Sequence, residues 1–470
     1  MGKQANVRTG IVVLVFVSFI WCGSAAGTVI YVDSDAPGPV HDGNDWGTAY
    51  RHLQDALADP WPAPGDEIWV AEGIYTPDTN SAEPNGSGDR SASFELVGEV
   101  TLKGGYAGYG EANPDLRRHD VFRSILSGDL DGNDVEINDP CDLLYEPTRA
   151  DNSFHVVRVT EADDVVVDGF TIRGGNANGV SADSNGGGIY SVDSNVTVTK
   201  CYFWRCSASS DGGAVWSGWS APFSMTHSSG SENSASRGGA LCNFAGTSRV
   251  TNCIFNGNDA NDGGAVVTLG GTVNVTNSTF SENSAQGMGG GICNLNVGTV
   301  TITNSIMWSD TAPYGNEIAL GNSATVDVNY SVVQDGNAGI YNDGSSFVSW
   351  GGGNEDADPC FVDSGSPERD FHLRSRYGTW NSNEGSWDTY GQDSPAIDMG
   401  EGSYPLGQET FANGGRINAG AYGGTSEASR TANPSGACEK WIAGDINGDC
   451  IINFHDLAFI CDNWLEDNTY

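Results

Sequence analysis

The chain has 470 residues, of which 65 are Gly and only 17% are charged. A composition rich in Gly, Asn, Ser and Thr favours many turns and short strands over helices. The formal charge of −40 disfavours nucleic acid and anionic membranes as partners, and acidic polysaccharides unless a cation bridges them.

In chain order, residues 1–26 read as a secretion signal. Lys3 and Arg8 form a basic start, Ile11 to Trp21 is an apolar run, and Ser24-Ala25-Ala26 supplies small residues before Gly27. A bilayer span needs about 20 apolar residues, so the run is too short to cross one. No other stretch is long and apolar enough to span a membrane, and the protein is expected to be secreted or at the cell surface. Removing Lys3 and Arg8 from 21 basic residues leaves 19 against 61 acidic ones, a balance of −42. Eleven cysteines become ten without Cys22, an even number that permits disulfides without identifying pairs. Neither C-x-x-C nor H-E-x-x-H occurs to suggest zinc.

Residues 27–160 open with Ile30-Tyr-Val-Asp33, Trp46 to Leu57 and Asp66 to Tyr75. Leu53, Ala56 and Leu57 lie at helical spacing and predict a short helix that covers the open end of a sheet structure. These segments resemble the opening of secreted bacterial right-handed β-helix proteins, which carry such a cap. Asp129-Leu-Asp131-Gly-Asn133-Asp134 starts like a calcium loop, but Ile137 and Pro140 stand at its ninth and twelfth positions, so a solvated acidic loop is expected.

Residues 161–335 repeat. Gly-Gly followed by an apolar residue ends at Ile189, Ala214, Ala240, Ala265 and Ile292, with spacings of 25, 26, 25 and 27. A second mark, Val-Thr-Lys, Met-Thr-His, Val-Thr-Asn, Val-Thr-Asn and Ile-Thr-Asn, ends at positions 200, 227, 252, 277 and 304 with the same period. Each unit alternates β-branched residues and then turns, and is too small to bury its own apolar face. The fold class that follows is all-β: a parallel β-helix with one coil per unit, rising about 4.8 Å by strand pairing. Val198, Met225, Val250, Val275 and Ile302 should form one inward stack. Phe203, Phe255, Phe280 and Met307 should form another, with a gap at Gly230. Asn252, Asn277 and Asn304 fall in one column and predict an asparagine ladder, broken at Lys200 and His227. Gly238-Gly239-Ala240, Gly263-Gly264-Ala265, Phe255-Asn-Gly-Asn258 and Phe280-Ser-Glu-Asn283 resemble the repeats of the chlamydial polymorphic outer-membrane proteins, which implies a β-helix displayed at a surface. Phe203-Trp-Arg-Cys206 departs from that pattern.

Residues 336–424 supply the last coils and a closing segment, in which Ser394 to Asp398 and Arg416 to Tyr422 resemble the end of secreted β-helix proteins. Residues 425–437 have the composition of a linker. Residues 438–470 form a separate small module. Asp445, Asn447, Asp449, Asn453 and Asp456 occupy loop positions 1, 3, 5, 9 and 12, and Ile451 offers its carbonyl at position 7, an oxygen set suited to Ca2+. Leu457, Ile460, Cys461, Trp464 and Leu465 then mark the apolar face of a helix. The loop resembles a dockerin repeat of the EF-hand type. It is single where dockerins carry two, and Cys450 replaces the usual Gly. The resemblance implies calcium binding and attachment, with a cohesin-like protein as a partner only if one repeat suffices.

Two functions fit. One is a non-catalytic β-helix that binds or displays a polysaccharide or a cell-surface component. The other is a calcium-dependent polysaccharide lyase or a glycoside hydrolase. The Gly-His-Gly and Arg-Ile-Lys marks of polygalacturonase-like enzymes are missing. The best cations for lyase chemistry are Lys200 and Arg205, with Asp164 and Asp168 about one coil earlier. Convergence of these four in one groove is the spatial test. Trp204, Trp216 and Trp219 could stack on sugar rings or serve packing.

Overall fold

The computed structural model describes residues 27–58, 62–219, 222–365, 369–410 and 412–431. Three long sheets run its length. An 11-stranded first sheet extends from Val29–Val32 to Phe347–Trp350, a nine-stranded second sheet from Gly73–Tyr75 to Val332–Val333, and a nine-stranded third sheet from Phe94–Leu96 to Tyr341–Asn342. A short five-stranded sheet joins the second to the third from Asn176–Ala177 onward. Every neighbour pair in these sheets is parallel, and one turn of chain visits each in order, as Val196–Thr199, Tyr202–Trp204, Ser207–Asp211 and Val215–Gly218 do. This is a parallel β-helix.

Strand alternation builds the core as expected. Val198 pairs with Met225, Met225 with Val250, Val250 with Val275, and Val275 with Ile302, all fully buried. The second sheet stacks Phe203, Gly230, Phe255, Phe280 and Met307 in register. No void remains at Gly230, because a Cβ there would meet Ala240 at 3.2 Å and Phe255 at 3.4 Å: the neighbours have closed in. The repeated Gly-Gly serves close coil stacking. A Cβ on Gly264 would lie 2.2 Å from the carbonyl oxygen of Gly290 in the next coil.

The first coil is capped by helix Leu53–Ala58, which buries Leu53, Ala56 and Leu57 against the end of the core. At the other end the chain stops coiling after Phe347–Trp350 and a last parallel bridge from Glu355 to Val332. Two antiparallel hairpins follow, Phe361–Asp363 with Asp370–Leu373 and Thr379–Asn381 with Ser386–Asp388. The closing segment folds back over the outer face of the second sheet, where Phe361, Phe371, Leu373, Ala396 and Met399 pack on Ile306 and Val332. Residues 425–431, expected to begin a linker, belong to this packing. Ala428 is buried, Ser429 donates to Leu373 O at 2.6 Å, and the Arg430 guanidinium lies 3.7 Å from the centre of the Trp387 ring.

The asparagine column needs correction. Lys200, His227, Asn252, Asn277 and Asn304 all sit at the corner between the first and second sheets with φ between 45° and 52°. Asn tolerates this left-handed backbone better than most residues, which explains the column. Among Asn252, Asn277 and Asn304 a single rung is present, from Asn304 to Asn277 at 3.5 Å. Asn252 instead donates to Ala421 O and Gly423 O, and Asn277 to Asn418 O, so the column docks the closing segment. The continuous ladder is formed by the Asn of Phe-x-x-Asn. Asn233 Nδ2 donates to Asn258 Oδ1 at 3.0 Å, Asn258 Nδ2 to Asn283 Oδ1 at 2.8 Å, and Asn283 Nδ2 to Asp310 Oδ1 at 2.8 Å. Each Oδ1 also accepts the backbone N–H one coil earlier, including Cys206 N to Asn233 Oδ1. The ladder ends on two buried acids, where Asp310 N donates to Glu317 Oε1 at 3.3 Å. Burial pushes Asp310 up to about 7 and Glu317 well above the usual carboxylate range, with Asp310 as the next cause for Glu317.

Seven cysteines fall among the described residues, and all are free thiols. Cys201 and Cys253 hold places in a hydroxyl ladder with Ser228, Ser278 and Ser305, in which the backbone N–H groups of Cys201, Cys253 and Ser278 donate to Ser228 Oγ, Ser278 Oγ and Ser305 Oγ.

Candidate groove on the second sheet

The outer face of the second sheet is covered by the closing segment over its last coils only. Over its first coils, residues 128–152 leave the solenoid as a long loop and form one wall of a cavity of about 640 Å³. Sheet pairing aligns Ser127 with Arg173 and Arg173 with Trp204 on its floor. Ile74, 58% exposed, borders it.

The loop is held from within. Asp129 accepts the backbone N–H groups of Asn133 and Asp134 at 3.0 and 3.2 Å. Arg149 is 2% exposed and pairs with Asp134 at 3.1 Å. Its Nη2 donates to Gly175 O, Arg205 O and Ser207 Oγ, which ties loop to coil. Burial raises Asp134, opposed by the Arg149 charge and by the hydrogen bond from Asn152, and burial lowers Arg149. Among the described residues no three His, Cys, Asp or Glu side chains group as a metal site; the Asp129 carboxylate serves the turn and the Asp134 carboxylate pairs with Arg149.

Trp204 is half-buried on the floor, with the Arg205 guanidinium 4.6 Å from its ring centre. Arg205 Nε pairs with Glu232 at 2.8 Å, and Trp204 Nε1 donates to the same carboxylate at 3.3 Å. Arg173 makes no ion pair and no side-chain hydrogen bond with the described residues. Trp216, by contrast, is buried and stacked between Tyr190 and Phe244, and Trp219 packs edge-on against Phe244.

The four residues proposed for lyase chemistry do not converge. Register does place Asp168 beside Thr199, next to Lys200. The Asp168 carboxylate, however, is taken by Arg117 at 2.8 Å, and Arg117 also donates to Asp168 O. Asp164 accepts from Asn195 Nδ2 at 2.6 Å. Lys200 sits at the left-handed corner, and only Arg205 lines the groove. The sequence pattern flagged Trp204 and Arg205 but missed Arg173 and Arg149. One coil of offset from Trp204 would have found Arg173; nothing local marks Arg149. The calcium residues Asp445, Asn447, Asp449, Ile451, Asn453 and Asp456 lie outside the described residues.

The fold and repeats define the class: a parallel β-helix repeat protein. Residues 277–295 match the Chlamydia polymorphic membrane protein repeat. That segment holds the inward Phe280, the ladder residue Asn283 and the Gly290-Gly291-Ile292 stack, so the match falls on the residues that carry coil geometry. No curated protein and no solved structure matches the chain.

Proposed function

We propose that this is an exported, surface-associated β-helix protein that binds carbohydrate in the groove beneath residues 128–152, without catalysis. The observation that carries this is an open cavity of about 640 Å³ whose floor presents the Trp204 ring beside the uncommitted Arg173. An indole offers a flat apolar face to a sugar ring, and guanidinium and carboxylate rims supply donors and acceptors for its hydroxyls. Because Asp164, Asp168, Lys200 and Arg205 do not meet in one groove, the lyase alternative loses the acid and base candidates named for it.

The carboxyl-terminal loop, Asp445 to Asp456, is proposed to bind one Ca2+ and to serve attachment to a partner, a cohesin-like protein or a component of the cell surface. Its support is the spacing of five oxygen side chains over twelve residues.

Affinity electrophoresis of the full chain through gels containing soluble polysaccharides tests the first claim. Retardation that disappears in Trp204→Ala supports it, and free migration in every gel refutes it. Calorimetric titration with Ca2+ tests the second: one binding event is expected, lost in Asp445→Ala, and absence of heat in the unmodified chain overturns it.

A further inference from the structure

A second cavity of about 580 Å³ lies along the same corner of the solenoid. Arg205 lines the first cavity and Glu232 the second, and these two are joined by the 2.8 Å ion pair. The loop that walls the first through Ile137 walls the second from Asn138 to Cys141. The second cavity continues past Gly257 and Glu282 in the next two coils. Gly257 has φ 62°, and a Cβ there would come within 3.4 Å of the Arg369 guanidinium. Arg369 passes over this glycine to reach Glu282 at 2.9 Å and Glu232 at 3.9 Å, and so closes the floor with a balanced set of charges.

We infer that the two cavities form one site for a neutral linear polysaccharide lying parallel to the solenoid axis. This rests on the carbohydrate reading of the first cavity. Seven successive coils line the two cavities: Ile74 two positions off the column of Ser127, Arg173 and Trp204, which share one register, and then Glu232, Gly257 and Glu282, each one residue past the register partners Ser231, Asn256 and Ser281 of Trp204. Six steps at about 4.8 Å span about 29 Å, and the coil rise is close to the length of one pyranose residue. A chain on this path meets one coil per sugar. The charge follows from the pairing. Arg149 and Arg205 in the first cavity and Arg369 in the second are neutralised by Asp134, Glu232 and Glu282. Glu136, on the loop wall, also faces Arg205 at 3.9 Å, and the remaining rim acids, Asp131, Asp139 and Asp259, outnumber Arg173, which has no ion pair among the described residues. A polyuronate would be repelled along most of the path, whereas hydroxyls can use both the carboxylates and Arg173.

The test is calorimetry of the full chain with neutral β-linked gluco-, xylo- and manno-oligosaccharides of two to eight units, and with oligogalacturonates of the same lengths. For at least one neutral series, affinity is expected to rise at least tenfold from three to six units and then level off, with weaker binding of the uronates. Gln286→Trp, at the exposed lip of the second cavity, should reduce hexamer affinity to that of the trimer and leave the trimer unchanged. Trimer binding that depends on Trp204 but does not grow with length, or a preference for uronates, overturns this inference and leaves the carbohydrate reading standing. Silence from every oligosaccharide overturns both.

Discussion

Replacing Asn258 with Ala tests the ladder that holds the coils together. Asn258 Oδ1 accepts from the backbone and side-chain nitrogens of Asn233, both at 3.0 Å, and Nδ2 donates to Gly230 O at 2.9 Å and Asn283 Oδ1 at 2.8 Å. The side chain is 1% exposed, so water cannot replace these partners. The two bonds donated by Asn258 at about 1 kcal/mol each, and two buried Asn233 donors orphaned at about 1–2 kcal/mol each, give a loss of about 4–6 kcal/mol. Asn252→Ala is the matched control from the column at the other corner. It loses two part-buried bonds to Ala421 O and Gly423 O, about 1–2 kcal/mol. Urea unfolding followed by tryptophan fluorescence measures both. Hydrogen exchange adds location: Asn258→Ala should expose amides in the neighbouring coils, and Asn252→Ala only those near residues 418–424. Equal losses in the two variants would refute the assignment of coil cohesion to Phe-x-x-Asn.

Three further outcomes are expected. The Asp310–Glu317 pair has folded-state values raised above the unfolded ones, Asp310 to about 7, so the folded chain holds more protons and stability falls as pH rises from about 4 through 7. Glu317→Gln should flatten that fall, and unchanged curvature in denaturation series from about pH 5 to 8 would rule the pair out as its source. Arg149→Met leaves the half-buried Asp134 without its cation and unties the loop from Gly175 O, Arg205 O and Ser207 Oγ, and should cost about 3 kcal/mol, with new protease cleavage between residues 129 and 142; resistance equal to that of the parent would contradict the clamp. Phe280→Ala should cost about 3–5 kcal/mol in the same unfolding assay, because Phe280 is fully buried against Phe255 at 5.0 Å, and a loss below about 1 kcal/mol would mean that the stack can collapse.

The repeat was legible because it is a one-dimensional pattern. Alternation assigns each residue to an inner or outer face, and a period near one coil places like residues above one another. Val198 to Ile302 and Phe203 to Met307 therefore stack as their spacing implied. Two columns of asparagine look alike in the same pattern, and only backbone φ and side-chain direction separate them. Asn252 marks a left-handed corner and binds the closing segment, whereas Asn258 turns inward and joins its neighbours. The candidate groove has the same origin. Asp129–Asp134 and Trp204 lie some 70 residues apart, and the site exists because coil stacking brings that loop against the coil that carries Trp204. Arg117 likewise claims Asp168 across a distance in sequence that no local motif encodes. Periodic interactions between adjacent coils could be read from the chain, since each repeats its neighbour's geometry. The non-repeating loop and the folded-back closing segment were decided by tertiary packing, because their partners are set by which outer faces the solenoid leaves bare.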